Sequence, residues 1–115
     1  MNDEAAEFQV HRRDGVAVVS VSGELDAACA EGFDIACEEA LSSGLPVVID
    51  LEACDFIDSL GVSGIIQTSH LATGAGRGFA LAGSGPQVKR VLELSGMSRL
   101  LPYFESLEDA VNHAR

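Results

Sequence analysis

Hydrophobic positions along this chain switch between two spacings, and each switch marks a change of element. Phe8 to Arg13 alternates apolar with polar residues, the period of a strand with one face buried. Asp14-Gly15 follows as a hairpin turn, because a two-residue connection of this kind needs positive φ at both positions. Val16 to Val21 then reads as a second strand, antiparallel to the first. Residues 1–7 are polar and acidic and are expected to form a loose end.

Beyond Gly23-Glu24-Leu25-Asp26 the spacing becomes helical. Asp26 is a suitable N-cap, and Cys29, Phe33, Ala36, Cys37, Ala40 and Leu41 form an apolar stripe through Ser42. Gly44 suits the helix end, and Pro46 blocks continuation. Val47 to Leu51 is almost continuously apolar, as expected of a strand covered on both faces. An acidic loop is expected next, followed by a helix from Ser59 to about Thr73 with Val62, Ile65, Ile66 and either Leu71 or Ala72 inward. Gly61 and Gly64 in that helix predict close approach to another backbone. A fourth strand is expected over Gly78–Ala82. A helix from Pro86, with Val88, Val91 and Leu92 inward, ends at Gly96. Leu101–Phe104 reads as an edge strand, since Pro102 cannot sit centrally, and Ser106 opens a last helix carrying Leu107, Ala110, Val111 and Ala114. The order β-β-α-β-α-β-α-β-α predicts an α/β fold: a mixed, mostly parallel sheet of four to five strands with about four helices, in a single domain over residues 8–113.

Charge narrows the function. The net charge is -11, and the basic residues are scattered. Such a chain is repelled by phosphate backbones and anionic membranes, so neither nucleic acid nor a membrane is an expected partner. A protein with a basic patch is the natural complement. The chain opens without a charged start followed by an apolar run, and no stretch approaches the ~20 apolar residues of a membrane span; a cytoplasmic protein is expected. Cys29 and Cys37 lie eight residues apart in a helix, ~12 Å by rise, too far to bridge. Cys54 falls in the acidic loop and is expected to be exposed.

Several chemical patterns stop short of a site. Gly74-Ala75-Gly76-Arg77-Gly78 follows a helix and precedes a strand, the reverse of a dinucleotide loop. Gly83-Ser84-Gly85-Pro86 has the right context for phosphate but lacks the Gly-Lys-Ser/Thr ending, and Pro86 removes an amide donor. His11, His70 and His113 share no spacing, and no Gly-x-Ser-x-Gly elbow surrounds Ser59. Asp50, Glu52, Asp55 and Asp58 read as solvated loop charges, with Asp58 also favoured at a helix N-terminus. No cofactor or metal is expected.

Ser59 is the remaining candidate. Asp58 and Ser59 are both competent N-caps in succession, so one side chain is left over. Phe56-Ile57-Asp58-Ser59-Leu60-Gly61-Val62 resembles the signature of the STAS family, the sulphate transporter and anti-sigma factor antagonist domains. Val21-Ser22-Gly23-Glu24-Leu25-Asp26 and Val88-Lys89-Arg90-Val91-Leu92-Glu93-Leu94-Ser95-Gly96 resemble two further segments of that family, in the same order, and the similarity runs from about Phe8 to His113. The resemblance implies a STAS-like fold and an anti-sigma factor antagonist that is not an enzyme. In this family the unmodified antagonist binds an anti-sigma factor with serine kinase activity, which frees a sigma factor. Phosphorylation of the serine in the Asp-Ser motif, here Ser59, ends binding, and a serine phosphatase restores it. The implied contact surface is Asp26, Asp58, Leu60, Ser63 and Gln67, with His70 on the same side of the helix. Leu60 departs from kinase substrates that carry a second hydroxyl there. Alternative expectations are a STAS subunit of another assembly, such as a stress-signalling scaffold or lipid-transport complex, and a small hydrolase using Ser59.

Overall fold

The computed structural model describes residues 6–115. The strands are β1 (Glu7–Arg13), β2 (Val16–Leu25), β3 (Val47–Ile57), β4 (Phe79–Ala82) and β5 (Tyr103–Phe104). The helices are α1 (Ala30–Ser42), α2 (Ser59–Gly74), α3 (Pro86–Leu94), α4 (Met97–Leu100) and α5 (Leu107–Ala114), with a 3-10 turn at Ala27–Cys29 leading into α1. Strand order in the sheet equals chain order, β1-β2-β3-β4-β5. The β1–β2 pair is antiparallel and the other pairs are parallel. This is the expected mixed, mostly parallel α/β sheet. The hairpin turn is also as expected, with φ of 53° at Asp14 and 81° at Gly15.

Why the central strands are so apolar follows from two cores. Ala17, Val19 and Val21 of β2, Val47, Ile49 and Leu51 of β3, and Phe79 and Leu81 of β4 point to one face, where α1, α2, α3 and α4 cover them. Val16, Val18, Val48, Ala80 and Ala82 point to the other, where α5 packs Ala110, Val111 and Ala114 against them. Alternate residues serve opposite cores, so Val16–Val19 and Val47–Ile49 are apolar without a break, and polar residues enter only at Ser20 and Asp50, where the α5 layer ends.

Several expectations change, and β2 runs on to Leu25 instead of ending at Val21. The loose end at residues 1–7 gives Glu7 to β1, while residues 1–5 lie outside the described residues. A short helix, α4, follows Gly96, which takes φ of 82°. The acidic loop before Ser59 is strand: β3 continues to Ile57 and pairs with Ser22–Leu25. Between Ser20 and Ser22, and again between Gly23 and Glu24, β3 carries one residue more than β2. These bulges re-aim the side chains, so Leu51, Cys54 and Ile57 are buried at three-residue spacing while the intervening residues are exposed. Cys54 is therefore buried, not exposed, and its Sγ donates to the Phe56 carbonyl at 3.3 Å.

The glycines of α2 meet side chains, not a backbone. A Cβ at Gly61 would lie 2.7 Å from Ile57 Cγ1 and 3.0 Å from Leu25 Cγ; one at Gly64 would lie 2.9 Å from the Phe33 ring. Leu25, Phe33 and Ile57 are buried at the junction of β2, α1 and β3, and set how closely α2 can seat.

Gly61→Val forces its side chain into Ile57 and Leu25 and lowers unfolding stability by about 1–3 kcal/mol, measured by denaturant titration. The buried thiols resist ionisation: burial pushes Cys54 up and Cys37 up to about 11 from 9.0. A thiol whose folded pKa is raised contributes stability present below pH 9.0 and lost as pH rises through about 11. Native protein at neutral pH should label at Cys29 alone with a thiol reagent, and at all three cysteines once unfolded.

Candidate functional site

The end of β3 runs directly into α2, and the residue between them makes the site. Asp58 is extended (φ -109°, ψ -174°) and is the N-cap of α2. Its Oδ1 accepts from the amides of Leu60 at 3.0 Å and Gly61 at 3.1 Å. Its Oδ2 accepts from the amide of Ala27 at 3.0 Å, at the start of the 3-10 turn. Its own amide donates to the Leu25 carbonyl at 3.2 Å, extending the β2–β3 pairing by one residue. One carboxylate thus satisfies donors at two helical starts, where anionic charge is favoured.

This resolves the competition between the two capping residues. Asp58 takes the cap, and Ser59 becomes the first residue of α2, exposed to solvent. Among the described residues no hydrogen bond engages the Ser59 hydroxyl. Asp26 lies half-buried nearby in the fold, with Oδ1 accepting from Ala28 at 3.1 Å, and its residue neighbour Ala27 is the one held by Asp58. The structure therefore brings Asp26, Asp58 and Ser59 together. Asp55, also exposed, stands just before them on β3.

Leu60, Ser63, Gln67 and His70 are all exposed on α2. Gln67 edges a shallow groove of about 120 Å³ between α1 and α2, lined also by Asp34, Glu38 and Leu71. His70 faces away from it, into a groove shared with Ile66, Leu100 and His113. Leu71, one of two candidates for the core, is 52% exposed, and Ala72 takes the buried place. Eleven residues are close to three full turns, so Leu71 stands in line with Leu60, which is 50% exposed, ~16 Å along the helix. Phe56, 43% exposed, adds an aromatic ring just before the cap.

The other chemical patterns are occupied structurally. The Ser84 hydroxyl is 2.7 Å from the Tyr103 hydroxyl, and Lys89 bridges to Glu105 at 3.1 Å. Asp50 Oδ1 accepts from the Glu52 amide at 3.0 Å, a local turn within β3. Among the described residues no three His, Cys, Asp or Glu side chains converge as metal ligands, and no helix is long and apolar enough to cross a membrane.

Residues 7–110 match the STAS domain. The anti-sigma-F factor antagonist RsfB of Mycobacterium tuberculosis is 31% identical over 102 residues, spanning 88% of this chain and 83% of RsfB. An anti-sigma F factor antagonist of Paenibacillus polymyxa is 29% identical over 107 residues, 91% of this chain and 90% of that protein. The crystal structure of an anti-sigma factor antagonist from Mycobacterium paratuberculosis superposes with a TM-score of 0.88 at 32% identity, covering 98% of this chain and 97% of that one. With sequence and structure agreeing over almost its whole length, this chain belongs to the STAS domain family.

Proposed function

We propose that this protein is an anti-sigma factor antagonist switched by phosphorylation of Ser59. The observation that carries the reading is that Asp58 performs the capping, so Ser59 stands exposed at the head of α2 with no structural task. The names of its relatives from Mycobacterium tuberculosis and Paenibacillus polymyxa support the same role. The unmodified protein binds an anti-sigma factor that is also a serine kinase, and a sigma factor is released. It acts in the cytoplasm as a binding module and a kinase substrate, not as an enzyme.

The docking surface is the outward stripe of α2 with the 3-10 turn beside its head. Leu60 and Leu71 supply apolar anchors; Ser63 and Gln67 supply hydrogen-bonding groups between them. Asp26 and Asp55 face the partner with negative charge, which complements a basic patch.

Phosphorylation changes the charge and not the scaffold. The Ser59 oxygen attacks the γ-phosphorus of ATP; the new O–P bond forms as the bond to the bridging oxygen breaks. ADP leaves and the hydroxyl proton passes to a base on the kinase. The product carries about -1.5 to -2 charge at a helix N-terminus, a position that welcomes an anion, so the fold persists. Docking suffers instead, because that charge must be desolvated beside Asp58 and Asp55. A serine phosphatase resets the switch by hydrolysing the ester.

The cognate anti-sigma kinase with ATP should transfer phosphate to the wild type and none to Ser59→Ala. Ser59→Asp should weaken binding by about five- to 150-fold, read by calorimetry, with its thermal midpoint essentially that of the wild type. Equal affinity of wild type and Ser59→Asp would refute the switch. Leu60→Ala and Leu71→Ala should each weaken docking by about 1–2 kcal/mol and leave stability unchanged, as suits half-exposed anchors.

A further inference from the structure

Asp58 ties together two parts of the docking surface that lie 31 residues apart in the chain. Ala27–Cys29 is a single 3-10 turn with no buried residue, so packing contributes little to its position. It is held by local bonds: the Ala28 amide donates to Asp26 Oδ1 at 3.1 Å and the Cys29 amide to the Asp26 carbonyl at 2.9 Å. The bond that fixes it to the Ser59 region is the Ala27 amide donating to Asp58 Oδ2.

We propose that Asp58 is a positioning residue that couples the state of Ser59 to this turn: a phosphoryl group on Ser59 displaces the Asp58 carboxylate from Ala27 and frees residues 27–29. The inference rests on reading Ser59 as the phosphoacceptor. The asymmetry lies in the acceptors. Phosphate oxygens on the first residue of α2 can serve the amides of Leu60 and Gly61, the donors that Asp58 Oδ1 now holds. Like-charge repulsion between neighbours then favours a swing of the Asp58 side chain. All three of its bonds share one carboxylate, so the swing breaks the Ala27 bond with the others. The α2 amides gain a replacement acceptor, and Ala27 does not. Phosphorylation thus removes two parts of the docking surface together, the head of α2 by charge and the turn by release.

The test uses the full chain with phosphoserine inserted at position 59 during translation, so no kinase is required. Amide exchange is followed by NMR. The Ala27 amide should be protected in the unmodified protein and exchange about ten-fold faster in the phosphoprotein, with the Gly61 amide unchanged. Asp58→Asn keeps a good cap for α2 but presents a single acceptor oxygen; it should free Ala27 to the same extent without phosphate. Ala27→Pro offers a second route. Asp26 is already extended (φ -125°, ψ -175°), the backbone favoured before proline, and the substitution removes the Ala27 donor. In that variant phosphoserine should no longer accelerate exchange at Cys29. An Ala27 amide equally protected with and without phosphate would overturn the proposal, as would one unprotected from the start. If the kinase ignores Ser59 yet inserted phosphoserine frees Ala27, the coupling stands and the switch fails. If the kinase modifies Ser59 and Ala27 stays protected, the switch stands and the coupling fails.

Discussion

The arrangement of this molecule around Ser59 depends on a single carboxylate accepting three backbone hydrogens. Asp58 caps α2 through Leu60 and Gly61 and holds Ala27 at the start of the turn before α1. Each bond has ordinary length. Their importance lies in sharing one acceptor group: the direction of α2, the seat of the turn and the exposure of Ser59 are set together. A hydroxyl cap would serve one helix start; a carboxylate, with two oxygens, serves two.

The sheet brings that carboxylate into position. Two bulges in β3 lengthen it relative to β2 and carry Asp58 to the end of the ladder, where its amide still pairs with Leu25. The bulges also turn Cys54 and Ile57 into the core beneath α1 and α2. Gly61 and Gly64 then let α2 settle on Leu25, Ile57 and Phe33. The exposed serine is thus the outer end of a tightly packed junction.

Most of the architecture is legible in the sequence because period and punctuation agree there. The Asp14-Gly15 turn, the apolar run from Val47 and the cap at Ser106 each point one way, and the structure follows them. The segment Glu52–Ile57 is where reading fails. A bulged strand does not alternate; its buried residues recur every third position, and Asp and Glu between them carry the signature of a loop. Cys54, read as a loop residue, is buried for the same reason. At the site, the Asp58-Ser59 pair is visible as two competing caps, and which one wins is decided by the fold, which ends β3 at Ile57 and leaves Asp58 extended. The link to Ala27 spans 31 residues and follows no spacing at all. Leu71 was legible in principle: its alignment with Leu60 is pure helical arithmetic.

The two cores have a consequence for how such proteins diverge. Everything tied to Ser59 belongs to the side covered by α1 and α2, whereas α5 closes a separate layer of Val16, Val18, Val48, Ala80 and Ala82 on the reverse. Thermal tolerance can drift by exchange of small aliphatics under α5 while the arrangement around Ser59 stays constant. The exposed residues of α2 can equally change without disturbing the layer behind it. A molecule this small keeps those two histories apart because a sheet has a back.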